Sequence, residues 1–369
     1  MANVRFVLLG GFLGAGKTTT LARLARHYTG LGHRVGIVTN DQAQDLVDTN
    51  NLRSQGFSVQ EVPGACFCCK FDDLIGQIGQ LQADQRPDII LAEPVGSCTD
   101  LVATVVQPMR DLYGSDFRVA PYAVLFKPSH GLKILRNEAK AGFSPKAAYI
   151  FRKQLEEADA IVMNRIDELS PADLDELTQL LTSEYPGVPL IPMSAKTGQG
   201  FEQLVALLDQ EGAFGQRVLD IDYDVYAEGE AELGWLNLTA SLSSEQAFDL
   251  DALLMKLIQP LAARLAAVEA EAAHLKLIGL DREGGFGVAN LVSSQTGCEL
   301  SLPSQKTVPH VDLVVNARVA IDPSILESAV REVLAEVSAG ERLTLAIGNA
   351  QSLRPGRPVP THRYSQAKA

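Results

Sequence analysis

Two short runs of residues carry most of the chemistry in this chain. The first is Gly11-Phe12-Leu13-Gly14-Ala15-Gly16-Lys17-Thr18-Thr19, which fits the spacing G-x-x-x-x-G-K-[ST] from Gly11 to Thr18. Glycines at 11, 14 and 16 let the backbone curl so that successive N–H groups face one phosphate, with Ala15 and Thr19 completing the cradle. Lys17 then reaches the β- and γ-phosphates, and the Thr18 hydroxyl faces Mg²⁺. The second run is Cys66-Phe67-Cys68-Cys69, three thiols in four positions after Pro63-Gly64-Ala65. Thiols this close do not form unstrained disulfides with one another. They suit a soft or borderline cation such as Zn²⁺, Cu⁺ or Co²⁺. Tetrahedral zinc needs a fourth ligand, and Cys98 is the candidate. A redox switch at 66–69 and a simple buried thiol at Cys98 are the competing readings. Cys298 reads as a packed thiol.

Further residues extend the nucleotide reading. Asn164-Arg165-Ile166-Asp167 matches the guanine motif N-K-x-D with Arg in place of Lys. A carboxylate there accepts from both N1–H and the exocyclic amine of guanine, a pair of donors that adenine lacks. The Arg165 stem and guanidinium can lie over the base plane. Ser194-Ala195-Lys196 falls where a second base-contacting loop is expected, so GTP is the predicted nucleotide. An ordinary capped turn is the plain alternative at 164–167. Asp41 and Glu93 end apolar strands and are candidates to hold Mg²⁺ or orient the attacking water, against simple capping roles. The Gly96 N–H is expected to meet the γ-phosphate, making 94–100 a nucleotide-sensing loop. GTP would then order this loop and bring Cys98 toward the cysteine cluster. Of the six histidines, only His130, expected on a loop, is placed within reach of a metal or partner.

These residues need a scaffold, and the hydrophobic pattern supplies one. Short β-rich runs at Arg5–Leu9, Arg34–Thr39, Ser58–Val62, Asp88–Ala92, Pro121–Phe126, Ala160–Met163 and Pro189–Pro192 alternate with amphipathic helices. That order predicts an α/β fold, a P-loop NTPase domain over 1–215 with a mostly parallel, helix-flanked sheet. Ser170-Pro171 marks a helix start. Residues 216–352 read as a small α+β domain of order β-α-β-β-β-α-β, near the ferredoxin-like type, with 223–232 as an acidic connector. Residues 353–369 form a Pro/Arg-rich tail, expected to be extended.

Composition narrows the partners. A chain of 369 residues with formal charge −13 lacks the basic surface that nucleic acid or an anionic membrane requires. No run approaches the roughly 18 apolar residues of a membrane span, and a cytoplasmic protein is expected.

Together, the phosphate loop, the Cys-x-Cys-Cys and the Asn-Arg-Ile-Asp resemble the CobW-like branch of the metal-chaperone GTPases, relatives of the hydrogenase and urease nickel-insertion GTPases. The resemblance covers about residues 4–210. It implies a GTPase that loads a divalent metal, zinc, cobalt or related, when GTP-bound and releases it after hydrolysis. On that reading Cys66, Cys68 and Cys69 are metal ligands, Lys17 and Thr18 serve phosphate and Mg²⁺, Asp41 and Glu93 match the family's acidic switch positions, and Asn164 and Asp167 read guanine. It also implies a client metalloprotein or corrinoid-dependent enzyme and allows a homodimer. Departures from the pattern are Thr39-Asn40-Asp41-Gln42-Ala43, Pro94-Val95-Gly96 after Glu93, Arg165 for Lys, and the absence of a histidine-rich stretch. Two other functions fit the same site: a GTP-dependent activator or remodeller of a corrinoid or metal enzyme, and a metal- or redox-sensing regulatory GTPase.

Overall fold

The computed structural model describes residues 3–41, 52–53, 55–64, 66–136, 145–293 and 297–368. The chain divides into two compact units: Met1–Gln44, Gly56–Gly229 and Arg357–Ala369 in one, Asp45–Gln55 and Glu230–Gly356 in the other.

The first unit is a parallel sheet with flanking helices. Its strands are β1 (Val4–Gly11), β2 (Val35–Asp41), β3 (Val59–Pro63), β4 (Ile89–Glu93), β5 (Phe117–Val119), β6 (Ala123–Phe126), β7 (Ala160–Met163) and β8 (Leu190–Pro192). Their order is β3-β2-β4-β1-β6-β7-β8, with β5 beside the start of β1. Every pairing is parallel. Phe6, Val7, Leu8 and Leu9 of β1 and Ile90, Leu91 and Ala92 of β4 are buried. Continuous apolar runs of this kind are what a sheet covered on both faces requires. Because the strands share one direction, the ends of β1, β2, β4 and β7 lie on one edge, where ligands of open α/β sheets gather.

Local signals set the helix starts. The helix Lys17–Gly30 begins at Gly16, in the left-handed region with φ 87°, and has neither a side-chain cap nor an acid in its first turn. A helix start without a side-chain cap or an acid is the kind that suits an anion. Pro171–Glu184 begins as the sequence predicts, with the Ser170 hydroxyl accepting from Asp173 N–H. Where the sequence predicts an acidic connector, Tyr223–Ala231 is a helix. Its Tyr226 is buried and its Tyr223 hydroxyl donates to Asp100 at 2.8 Å.

The second unit is an antiparallel sheet of order β12-β11-β10-β13-β9-β14. Here β9 is Gly234–Asp249, β10 Ala272–Leu280, β11 Phe286–Ser293, β12 Gly297–Leu302, β13 Thr307–Val319 and β14 Thr344–Leu353. The helices Leu250–Ala267 and Pro323–Glu341 share one core with this sheet. The predicted stripe Leu254, Leu257, Ile258, Leu261 and Leu265 is buried, as is the alternating set Leu236, Leu238, Ala240 and Leu242. One strand is added to the predicted order: β12 pairs with β11 at the sheet edge. It carries Cys298, half-buried, whose thiol lies 3.7 Å from the Ile258 carbonyl oxygen.

The tail does not stand apart, for residues 357–368 pack on the first unit. Among the described residues, no helix is long and apolar enough to cross a membrane.

Candidate functional site

Lys17 and Thr18 are both buried at the mouth of the phosphate loop. The Lys17 ammonium donates to Gly11 O at 2.8 Å and Phe12 O at 3.4 Å. Thr18 donates from its hydroxyl to Glu93 Oε1 at 3.0 Å, and Glu93 is itself buried at the end of β4. A hydroxyl and a carboxylate meeting beside the phosphate lysine are the hard oxygen ligands that Mg²⁺ takes. Asp41 ends β2, in register with Pro63; its side chain lies outside the described residues. Gly96 is packed so tightly that an added Cβ would sit 2.8 Å from Leu13 Cδ2 and 3.0 Å from Lys17 Nζ. The 94–100 loop therefore runs against the phosphate lysine.

The loop predicted to take the base is tied to the predicted phosphate loop through one amide. Asn164 is 1% exposed; its Nδ2 donates to Ala15 O at 2.7 Å and its Oδ1 accepts from Ala195 N–H at 2.9 Å. A Cβ on Gly16 would fall 2.3 Å from that Nδ2. Ser194 Oγ accepts from Thr197 N–H at 3.1 Å, and Arg23 donates to Ala195 O and Lys196 O at 2.8 and 2.9 Å. Lys196 and Asp167 are exposed. Arg165, at φ 67°, donates from Nε to Glu168 at 2.7 Å. Ala15, Gly16, Asn164 and Ala195 thus form one connected ledge, and Asp167, three residues after Asn164, is exposed.

The cysteines converge on a tight turn in which Cys69 and Lys70 N–H both donate to Cys66 O. The Cys66 Sγ lies 2.8 Å from Cys68 Sγ and 3.1 Å from Cys69 Sγ, with 3.7 Å between Cys68 and Cys69. All three are free thiols. Ligands 2.3 Å from a tetrahedral zinc stand about 3.8 Å apart, so a small spreading of this triangle would accommodate the ion. Hydrogen bonds from the Cys68, Cys69 and Cys98 thiols push the Cys66 thiol well below its ordinary value. The same bonds raise Cys68, and Cys69 is pushed up to about 11, first through its hydrogen bond to Cys66. The three thiols thus titrate as one set rather than singly. Cys98 is 1% exposed and near enough to shift the Cys66 and Cys68 thiols, but the close set, all ligand atoms within 4.8 Å of one another, is Cys66, Cys68 and Cys69.

Several supporting residues carry no motif of their own. Asn40, buried at the end of β2, accepts from Phe67 N–H and donates to Val62 O, both at 2.8 Å. It pins the cysteine turn to the strand that ends at Asp41. Gln154 donates to Gly96 O at 3.0 Å and to Cys98 O at 2.7 Å. Both are single amides in otherwise ordinary stretches, and only contact across the fold reveals them. His130 departs from its expected place. It is buried in the helix Pro128–Leu135, edge-on to Phe12 at 6.3 Å, and burial pushes its pKa well down. The predicted loop is a helix because Pro128 starts it and an apolar face runs through Leu132 and Leu135.

Comparison with known proteins fixes the lineage of this arrangement. The family profile described as CobW/HypB/UreG, nucleotide-binding domain, matches residues 5–192, just over half of the chain. The chain belongs to the CobW/HypB/UreG family. Among curated relatives in this family, zinc chaperone YeiR of Escherichia coli is 31% identical over 44% of this chain and 47% of its own length. Zinc chaperone CobW of a Sinorhizobium species is 28% identical over 52% of this chain and 59% of its own. Urease accessory protein UreG of Metallosphaera sedula is 26% identical over 54% of this chain and 91% of its own. The chain thus spans about half the length of the zinc chaperones it matches. The phosphate loop and all three close cysteines fall inside the matched segment.

Proposed function

We propose that this protein is a GTP-hydrolysing metallochaperone that binds a divalent metal through Cys66, Cys68 and Cys69 and delivers it to a client protein. The observation that carries the reading is the convergence of three free thiols within 3.7 Å of one another on a turn pinned by Asn40 to the nucleotide edge of the sheet. The names of two relatives favour zinc, and three thiolates suit zinc or cobalt better than magnesium or calcium.

GTP is the substrate of the hydrolysis. Gly11, Gly14, Ala15, Gly16 and Thr19 wrap its phosphates, Lys17 leaves its carbonyl partners to meet the β- and γ-phosphates, and Gly96 N–H faces the γ-phosphate. Thr18 and Glu93, with Asp41, would hold Mg²⁺, which neutralises charge developing on the phosphates. Asn164, Arg165 and Asp167 with 194–196 take the guanine. Cys98 is proposed as the fourth metal ligand, supported by its burial and by its influence on the Cys66 and Cys68 thiols.

The test is a metal competition titration under anaerobic reducing conditions with Zn²⁺, Co²⁺ and Ni²⁺. It compares the GDP form with a form holding Mg²⁺ and a non-hydrolysable GTP analogue. Tighter binding in the triphosphate form, abolished in Cys66→Ala/Cys68→Ala/Cys69→Ala, is the expected result. Equal affinity in both forms would sink GTP-gated loading and favour a remodelling GTPase or a redox switch. A Cys98→Ala variant with unchanged stoichiometry and gating would remove Cys98 from the ligand set.

A further inference from the structure

The C-terminal segment Arg357–Lys368 lies directly over the cysteine turn. Val359 N–H donates to Cys69 Sγ at 3.3 Å. Thr361 N–H donates to Cys68 O at 2.8 Å, and the Thr361 hydroxyl donates to Cys69 O at 3.1 Å. The His362 ring stands edge-on to buried Phe71, 5.2 Å between centroids, at the start of the helix that follows the cysteines. Beyond it, Arg363 pairs with the buried Asp100 carboxylate at 2.8 Å and donates to Leu219 O at 2.9 Å. Tyr364 N–H donates to Ala103 O at 3.0 Å and its hydroxyl to Asp111 at 2.6 Å, while Lys368 N–H donates to Gln107 at 2.7 Å. Arg357 pairs with Asp224 at 2.7 Å. The segment is anchored at both ends and in the middle, and its centre rests on the thiols.

The composition of this stretch suits such a role. Pro358 and Pro360 flank Val359 and hold the chain extended at low conformational cost. The Val359 side chain is 71% exposed, so the stretch is not there to bury an apolar anchor. What it offers the cysteines is backbone N–H groups. Donors aimed at a thiolate offset its charge and fix its direction, as the outer partners of metal ligands do.

We propose that Val359 and Thr361 are positioning residues of the metal centre, and that the Arg357–Lys368 segment sets how fast thiolate-bound metal leaves. This rests on the proposed metal role of Cys66, Cys68 and Cys69. The segment supplies one N–H to the Cys69 sulfur and locks the carbonyls of the cysteine turn. Its Arg363 reaches Asp100, at the far end of the 94–100 loop that meets Lys17 through Gly96. Metal entry or release requires the Val359–Thr361 stretch to lift, and Arg363 ties that movement to the loop.

The test uses the full chain and three variants. Val359→Pro deletes the N–H that meets Cys69, Arg363→Ala frees the anchor while leaving both N–H groups, and a chain stopped after Gly356 removes the segment. Zn²⁺ dissociation into excess chelator is followed by absorbance. Alkylation of the metal-free thiols is followed by mass spectrometry, and GDP affinity serves as the control for folding. We expect zinc to leave about tenfold faster from Val359→Pro and from the truncated chain, the size of effect that loss of an outer ligand partner produces. Alkylation at Cys69 should accelerate in parallel and GDP affinity should hold. Arg363→Ala should show a smaller change in the same direction. Unchanged zinc release and unchanged alkylation in variants that still bind GDP would overturn the proposal. A wild-type chain that binds no zinc refutes the metallochaperone reading and with it the retention role. The alkylation rates would still report whether the segment covers the thiols.

Discussion

Replacing Asn164 by alanine asks whether the phosphate loop and the base-side loop act as one unit. The Asn164 amide donates to Ala15 O at 2.7 Å and accepts from Ala195 N–H at 2.9 Å, with 1% of the residue exposed. Alanine removes both bonds and leaves the Ala15 carbonyl and the Ala195 N–H without the amide they share. Each unpaired buried group costs about 1–3 kcal/mol, so the pair should cost about 2–6 kcal/mol of folding stability unless water enters the gap. The nucleotide should register the change too, because Gly16 loses the amide that walls it on one side. A shift of 1.4 kcal/mol is a factor of about ten in affinity. Urea unfolding should therefore show a loss of at least about 2 kcal/mol, and titration with fluorescent GDP a weakening of about tenfold or more. Asn164→Asp refines the test. It keeps an acceptor for Ala195 N–H but turns a second acceptor toward Ala15 O, so its affinity should fall at least as far. If Asn164→Ala unfolds within about 0.5 kcal/mol of the parent and binds GDP equally well, the two loops are not coupled through this side chain and the reasoning fails.

Three further outcomes are expected. In Gly96→Ala, the new Cβ would meet Leu13 Cδ2 at 2.8 Å and Leu13 Cα at 3.1 Å. Overpacking of this kind costs about 1–3 kcal/mol, and calorimetric titration should show it in triphosphate binding, with GDP binding less affected. Asp167→Asn should lose the preference for GTP over ATP by about tenfold or more, read by competition against labelled GDP, with stability unchanged because Asp167 is exposed. Glu157 is fully buried, accepting from Val102 N–H at 2.9 Å, and burial raises its pKa well above the ordinary carboxylate value. A raised folded pKa means the protonated form is favoured on folding. Its stabilising contribution is present below the unfolded carboxylate pKa and is lost as pH rises through the folded value. Denaturation of the parent and of Glu157→Gln across that range should converge at acid pH and diverge above it, the parent becoming relatively less stable. Parallel curves would show that Glu157 does not titrate as its burial demands.

Much of the first unit was legible because its signals are local. The phosphate loop, the strand runs and the Ser170-Pro171 helix start each lie within a few residues, and the hydrophobic pattern needs only one face to be read. The cysteine turn was legible for the same reason. What escaped sequence reading depends on contacts between distant residues. Val359 and Cys69 are 290 positions apart, and a Pro/Arg-rich stretch gives no hint of where it docks. The helix Tyr223–Ala231 reads as a connector in the sequence because its acidic residues mask a short packing face at Tyr223 and Tyr226. Strand β12 leaves no clear pattern in the sequence because it is a six-residue edge strand with little burial. Asn40 and Gln154 act by single amides reaching across the fold, and nothing in their neighbours marks them.

The 94–100 loop shows how a change at the phosphates could be felt by the thiols over a short path. Gly96 sits against Leu13 and Lys17, Cys98 lies near enough to Cys66 and Cys68 to shift their thiols, and Gln154 holds the carbonyls of Gly96 and Cys98, at 3.0 and 2.7 Å. A displacement at Gly96 must therefore either break a buried amide bond or carry Cys98 with it. The loop's far end is its least relaxed point. Asp100 is buried in the left-handed region at φ 63°, and one of its carboxylate oxygens has no hydrogen-bond partner. A non-glycine residue held there costs about 1–3 kcal/mol, and Tyr223 and Arg363 offset it through the other oxygen. Coupling between two sites needs an element with two arrangements that each ligand biases. On the proposed function the 94–100 loop is the element such coupling would use: Gln154 clamps it in the middle, Gly96 lies against Lys17, and Tyr223 and Arg363 hold Asp100 at its far end.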